Sequence, residues 1–370
     1  MKRIFLFCLL SIASINLSAQ MDLPPSGGNA RAMISEEVGI TSITINYSRP
    51  DVNKREGKIY GEGNPVPYGF STTNFITGRN NSPWRAGANE NTIITFEHDV
   101  KLEGQPVKAG TYGLFMSMGA ENVTIILSTK TDAWGSFYYE EKNDVLRVSV
   151  KPVALEKSVE WLKYEFIEQR EKYCVVAMQW EKLSVPFRID VDVDNITLAR
   201  LREELTSRKG FNPSLLLQAA QFCFTKNINL EEALQWSKRA IDGQGGQKTF
   251  ITLRNLATAY EKINRMPEAD STMNEALQIA TANQYTAYGR QLIGQKRVDK
   301  AMEVLLASQK RYGDMFGVNN GLMSGYSAKA DFKNAIKYAD KAMAQAPNEN
   351  AKKTLEGQIA KLKEGKDINQ

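Results

Sequence analysis

The sequence predicts a two-part fold, an N-terminal antiparallel β-sandwich or barrel followed by a C-terminal α-helical solenoid of hairpin repeats. Three observations carry that expectation. From about Leu23 to Val193 the dominant hydrophobic period is two. At Asp194-Asn195 the period lengthens to that of a helix. Beyond it, small residues recur in pairs at intervals near 34 residues. A chain of 370 residues has room for about two domains, divided here as 1–19, 20–193 and 194–370.

Residues 1–19 read as a secretory signal. Lys2-Arg3 supply the charged start, Ile4 to Ile15 a short apolar stretch, and Leu17-Ser18-Ala19 a small residue before Gln20. The stretch is too short to cross a bilayer comfortably, and no other run approaches that length. The expected location is therefore the periplasm or the extracellular space, without a transmembrane anchor.

In the second part, Ile43, Ile45 and Tyr47 alternate with Ser42, Thr44 and Asn46, and Leu146, Val148 and Val150 with Arg147 and Ser149. Val185, Phe187, Ile189, Val191 and Val193 alternate with Arg188, Asp190, Asp192 and Asp194. Less regular runs at Thr92–Phe96, Val123–Leu127, Leu162–Phe166 and Tyr173–Trp180 complete at least seven strands. Turn formers such as Leu102-Glu103-Gly104-Gln105 separate them. Asp190 to Asp194 imitate half of a calcium loop, but Asn195 replaces the turn glycine and Leu201 the bidentate glutamate.

Several ordered blocks here are similar to one known family. They include Ile45-Asn46-Tyr47-Ser48-Arg49-Pro50, Gly57-Lys58-Ile59-Tyr60-Gly61 and Val66-Pro67-Tyr68-Gly69. Trp84-Arg85-Ala86-Gly87-Ala88-Asn89-Glu90, Ala109-Gly110-Thr111-Tyr112-Gly113-Leu114-Phe115, Trp134-Gly135, Val159-Glu160-Trp161-Leu162 and Trp180-Glu181 continue the series. Residues 22–190 thus resemble domain-of-unknown-function family 2911, a resemblance that implies a domain but no activity. Phe70 to Pro83 depart from that pattern as a polar insertion, expected to be an exposed loop.

Trp84, Arg85, Asn89 and Glu90 place an indole, a guanidinium, an amide and a carboxylate within seven residues. With Tyr68 and Trp134 they are the candidate ligand-binding set of this part. The plainer reading pairs Arg85 with Glu90 structurally and places the tryptophans in the core. His98 is the single histidine of the chain, which leaves little for imidazole triads or His-ligated metals; it reads as a surface residue. A two-carboxylate glycosidase would use Glu90 with Asp99 or Asp132. No catalytic residues, metal ligands or cofactors are assigned. Cys174 and Cys223 read as small buried side chains.

In the third part, Leu198, Leu201 and Leu205 mark a helix ending at Gly210, and Asn212-Pro213 cap and open the next. Gly243 to Thr249 look superficially like a phosphate loop, but Gln247 precedes the lysine and no strand leads in. On the second helix of each hairpin, Ala233 pairs with Ala240, Ala269 with Ala276, Ala301 with Ser308, and Ala335 with Ala342. The leading alanines are 36, 32 and 34 residues apart. The first helices carry Leu253, Leu256, Ala257 and Tyr260, then Tyr285, Tyr288, Gly289 and Leu292, then Leu322, Met323 and Tyr326. Gln221 occupies the small-residue position of the first, most divergent unit. Residues 213–347 thus resemble four tetratricopeptide repeats, with Pro347 closing the fourth and a capping helix over Ala351 to Glu364.

The resemblance implies a concave face built from the first helices, onto which Arg254, Thr258, Glu261, Arg290, Asn320 and Ser324 project. A net charge of +5, or +3 without Lys2 and Arg3, is too small and too dispersed for a nucleic-acid groove. The expectation is an exported, non-enzymatic protein whose repeats bind a protein partner or self-associate. The alternative is a carbohydrate-binding module or carboxylate glycosidase around Trp84–Glu90.

Overall fold

The structure, a computed structural model, describes residues 28–71 and 82–369. The expected signal peptide lies outside the described residues, as does most of the expected insertion loop. The chain divides into two compact units, Met1–Thr197 and Leu198–Gln370.

The first unit holds two antiparallel sheets. Strands β1 (Ala30–Val38), β2 (Thr41–Arg49), β3 (Thr92–Phe96), β6 (Gly110–Ser117), β7 (Val123–Ser128) and β8 (Asp144–Val150) form a six-stranded sheet in that order. Strands β5 (Gln105–Val107), β4 (Val100–Leu102), β10 (Tyr173–Val191) and β9 (Val153–Arg170) form the other, again in spatial order. The sheets do not close on one another, so the architecture is a sandwich and the barrel alternative falls away.

Alternation fills the space between the sheets. Ile43, Ile45, Ile94, Phe96, Leu114 and Met116 come from one sheet, and Leu162, Val176, Met178, Phe187 and Ile189 from the other. Each such side chain contributes about 1.5–3 kcal/mol on leaving water. Glu103 (φ 49°) and Gly104 (φ 78°) make the two-residue turn from β4 to β5, both in the left-handed region that the twist of a tight hairpin favours.

One strand corrects the sequence reading. Tyr173–Trp180 and Val185–Val193 are not two strands but one, and Val193 opens a helix instead of ending it. Cys174, Val176, Met178 and Trp180 face the core at even numbers, whereas Val185, Phe187, Ile189 and Val191 do so at odd numbers. A phase change without a turn requires an extra residue, and β10 shifts register against β9 around Glu181, itself at φ 53°.

Helix α1 (Val193–Thr206), most of which belongs to the second unit, is followed by a 3-10 turn, Arg208–Phe211. The helix therefore stops short of Gly210, which lies within that turn. Four hairpins follow: α2 (Pro213–Lys226) with α3 (Leu230–Asp242), and α4 (Phe250–Lys262) with α5 (Met266–Ile279). Next come α6 (Ala282–Gly294) with α7 (Val298–Tyr312), α8 (Phe316–Ala328) with α9 (Phe332–Ala344), and the closing α10 (Glu349–Lys363). Asn212 caps α2, its side chain accepting from Ser214 N at 2.9 Å with Pro213 in the first turn. All eight residues of the small-residue register, Ala233 to Ala342 with Ser308 among them, are buried. The helices meet through those positions. Among the described residues no helix is long and apolar enough to cross a membrane.

Candidate functional site

The segment Trp84 to Glu90 joins the polar insertion to β3. Its small residues serve backbone packing. The Ala86 carbonyl accepts from Thr92 Oγ1 at 3.1 Å and from Tyr164 Oη at 2.8 Å, and Ala88 N donates to Ser48 O at 3.2 Å. A side chain on Gly87 would stand 2.6 Å from Thr92 Oγ1 and 3.1 Å from Ser48 O. Ala86 and Asn89 both lie at positive φ, 50° and 58°, so the loop is held in a conformation most residues resist.

Within it the six predicted ligand residues separate. Trp84 is half-buried, stacked on core Trp180 with ring centroids 6.0 Å apart, its indole donating to Gly87 O at 3.2 Å. Asn89 Oδ1 accepts from Asn29 at 3.1 Å. Tyr68 and Trp134 are 51% and 42% exposed. Arg85 and Glu90, the expected pair, do not meet. Glu90 is ion-paired with Arg31 of β1 and accepts from Ser48 Oγ at 3.5 Å. Partial burial pulls its carboxyl upward, but its own backbone hydrogen bond, Arg31 and Ser48 together hold it below the usual value.

Arg85 turns toward the stretch that follows β7. Its Nη1 donates to Asn89 O at 2.6 Å, and its Cζ lies 5.2 Å from the centroid of Phe137. Gly135, at φ 60°, lies directly beneath the guanidinium, where a side chain would be 2.4 Å from Cζ. Burial lowers the pKa of Arg85. A cavity of about 140 Å³ opens beside it, lined by Pro65, Pro67, Pro83, Trp84 and Phe137 among others. Ser71 and Ser82, which border the insertion, form an antiparallel bridge at its base.

The other carboxylates named for glycoside hydrolysis are surface ion pairs. Asp99 binds Lys108 at 2.8 Å and Asp132 binds Lys130 at 2.6 Å, and these partners lower both carboxyls. Neither they nor Glu90 has the raised pKa that a general acid needs. His98 is half-buried, its Nδ1 3.2 Å from Thr41 Oγ1. Both cysteines are free and buried; burial first, then nearby acids, pushes Cys174 up to about 12 and Cys223 to about 11. At those values neither is a nucleophile near neutral pH.

In the helical unit the predicted groove residues have mixed fates. Arg254 is exposed. Thr258 turns back to Arg254 O of its own helix at 3.1 Å, and Glu261 faces Arg297 at 3.5 Å. Arg290 of α6 donates to Asn320 Oδ1 of α8 at 2.9 Å, linking two first helices. The Arg290 side chain keeps a solvent-exposed face, yet the chain around it removes enough water to lower its pKa. Ser324, one turn beyond Asn320, is buried, and its carbonyl accepts from Asn369 Nδ2 at 3.0 Å.

That last contact belongs to a feature sequence reasoning missed. Beyond α10 the chain folds back along α8. Ser327 Oγ donates to Asp367 Oδ1 at 2.8 Å and accepts from Ile368 N at 3.0 Å. A cavity of about 470 Å³ remains beside this tail, lined by Arg290, Ile293, Lys296, Val298 and Asn369 among others. No periodicity marks a returning tail; only the isolated apolar Ile368 hinted at one.

No curated protein matches the chain. Among solved structures it is similar to the Cut9-Hcn1 hetero-tetramer of the APC/C, at 17% identity over 46% of this chain and 33% of that one, with a TM-score of 0.30. The chain therefore spans about a third of that structure's length. It is also similar to YrrB, described as a TPR protein with an unusual peptide-binding site, at 15% identity over 45% of this chain and 89% of that one, TM-score 0.28. A third is MamA AMB-1, at 17% identity over 46% and 87%, TM-score 0.25. In the first unit, residues 29–189 match the family described as protein of unknown function (DUF2911), the family that the blocks from Ile45 to Glu181 resemble.

Proposed function

We propose that this protein is an exported, non-enzymatic scaffold whose helical unit holds a protein partner, or a second copy of the chain, against its first helices. The carrying observation is the Arg290–Asn320 contact. It links the first helices of the third and fourth hairpins at 2.9 Å, on a face that also bears the cavity of about 470 Å³. A polar bridge on an open, repeat-built face suits hydrogen bonding to a peptide backbone. Arg254 and Glu261 of the second hairpin extend a polar surface of mixed charge. The reading of export rests on Lys2-Arg3, the apolar stretch after them and the small residue Ala19.

The test is capture by the full chain, immobilised, with Arg290→Ala and Asn320→Ala compared against Lys300→Ala on a second helix. Loss of the same retained proteins in the first two variants alone supports the reading. An identical profile in all three removes it. Growth of the purified protein in oligomeric state with concentration, abolished by Asn320→Ala, would assign self-association. Secretion is tested by replacing Lys2 and Arg3 with glutamate and following the mature chain by fractionation.

A second reading keeps a glycan-binding module in the β unit. Its support is the pair of exposed aromatic side chains, Tyr68 and Trp134, whose faces are open to a sugar. Binding on a glycan array that disappears with Trp134→Ala would establish it.

A further inference from the structure

Among the described arginines of the β unit, Arg85 and Arg49 stand apart from those that pair with an acid. Arg31, Arg55, Arg147 and Arg188 each pair with an acid, Glu90, Asp51, Asp144 and Asp190 respectively. Arg49 spends its Nε on Leu162 O at 2.9 Å. Arg85 is half-buried, and among the described residues no carboxylate pairs with it. Among the described residues its hydrogen bond runs from Nη1 to the Asn89 carbonyl. A guanidinium has five N–H donors, so the described residues use only a small part of its capacity. A cation that loses water without gaining an opposite charge is costly, which is why burial lowers its pKa.

The protein nevertheless builds a seat for it. The Gly135 backbone supports one face, Phe137 stands 5.2 Å away, and a positive φ at Gly135 is retained to make the room. Ser136 Oγ donates to Pro83 O at 2.6 Å, which ties the stretch after β7 to the segment before Trp84. The ten residues between Ser71 and Ser82 include no acid. The cavity beside Arg85 holds about 140 Å³, the share of about four to five waters in the liquid. That is room for a carboxylate carrying a few carbons. Its walls of proline, indole and phenyl ring offer carbon contacts, while Arg85 offers a forked donor that matches a carboxylate.

We propose that Arg85 and this cavity form a binding site for a small organic carboxylate, supplied as a free short-chain acid or as the terminal carboxylate of a peptide. The site is independent of the helical groove.

Calorimetric titration of the full chain tests it with butyrate, butyramide, inorganic phosphate, and one tripeptide carrying a free or an amidated C-terminus. Butyrate should bind at least about tenfold tighter than butyramide, since only the acid completes the charge-assisted pair. Arg85→Gln, with its circular dichroism unchanged, should abolish that preference, and Lys130→Gln should keep it. Should Arg85→Gln not fold, the butyrate-to-butyramide ratio in the unaltered protein still decides. Equal binding of the two, binding of neither, or phosphate binding tighter than butyrate overturns the proposal. Free-carboxylate tripeptide above butyrate identifies peptide termini as the source; the reverse order identifies a free acid.

Discussion

Arg85 in the sandwich and Arg290 in the repeats are both arginines without an acidic partner among the described residues, and burial lowers the pKa of both. Their settings differ. Arg85 is fixed between backbone and ring by a loop whose Ala86 carbonyl accepts from both Thr92 and Tyr164. Arg290 donates to the side chain of Asn320 on the next hairpin. A seat between backbone and ring beside a small cavity suits a small ligand held in one orientation. An open bridge between two helices can reorient and suits an extended, variable partner. Under the proposed function and the proposed carboxylate site, the two units use the same side-chain chemistry for different kinds of recognition.

The contrast can be broken from the array side first. Gly321 of α8 lies where a side chain would be 2.8 Å from both Leu305 Cδ2 and Thr286 Oγ1. Gly321→Leu should force α8 away from α6 and cost about 3 kcal/mol, seen as a lower urea midpoint, with loss of any partner that depends on Arg290. Retention of both stability and partner would mean that the close approach does not build the groove.

On the sandwich side, Gly135→Ala should cost about 1–2 kcal/mol through its left-handed backbone alone and displace the Arg85 guanidinium. Denaturant unfolding measures the cost, and the butyrate preference should fall with it. A variant as stable as the parent would show that the seat under Arg85 is not rigid.

Ser308 sharpens the account of helix contact. It occupies a register position filled elsewhere by alanine, and among the described residues its buried Oγ has no hydrogen-bond partner. Ser308→Ala should therefore stabilise the array by about 1 kcal/mol, read as a higher midpoint. Destabilisation would mean that the hydroxyl is satisfied.

The smallest effect concerns Glu90. Its carboxyl is held below the usual value in the folded chain, so its contribution is present above that usual value and fades as pH falls through the lowered one. Arg31→Met should remove a few tenths of a kcal/mol of stability at neutral pH, a difference from the parent that disappears as pH falls through the lowered value, so that the acid limb becomes shallower. An unchanged acid limb would show that Arg31 does not lower the carboxyl.

Much of the architecture was legible because it is periodic. Ile43, Ile45 and Tyr47 announced a one-sided strand, and Ala233 to Ala342 announced four hairpins, since burial on one face imposes a repeat on the chain. The bulge in β10 was not legible as a continuous strand. A phase slip near Glu181 looks the same in sequence whether the chain turns back or merely inserts a residue, and only pairing with β9 distinguishes them. The candidate site was legible as a segment and misread in its pairing. Arg85 and Glu90 are close in sequence, but positive φ at Ala86 and Asn89 sends them in opposite directions.

By itself the sequence determined the two-part fold, the hairpin register and the absence of a useful histidine, because these follow from local period and composition. The tertiary structure decided which charges are paired. It gave Arg31 to Glu90, left Arg85 beside a cavity, set Arg290 against Asn320 and laid the C-terminal tail along α8. Pairing depends on side-chain direction and on what distant segments bring near, and neither is written in the spacing of residues along the chain.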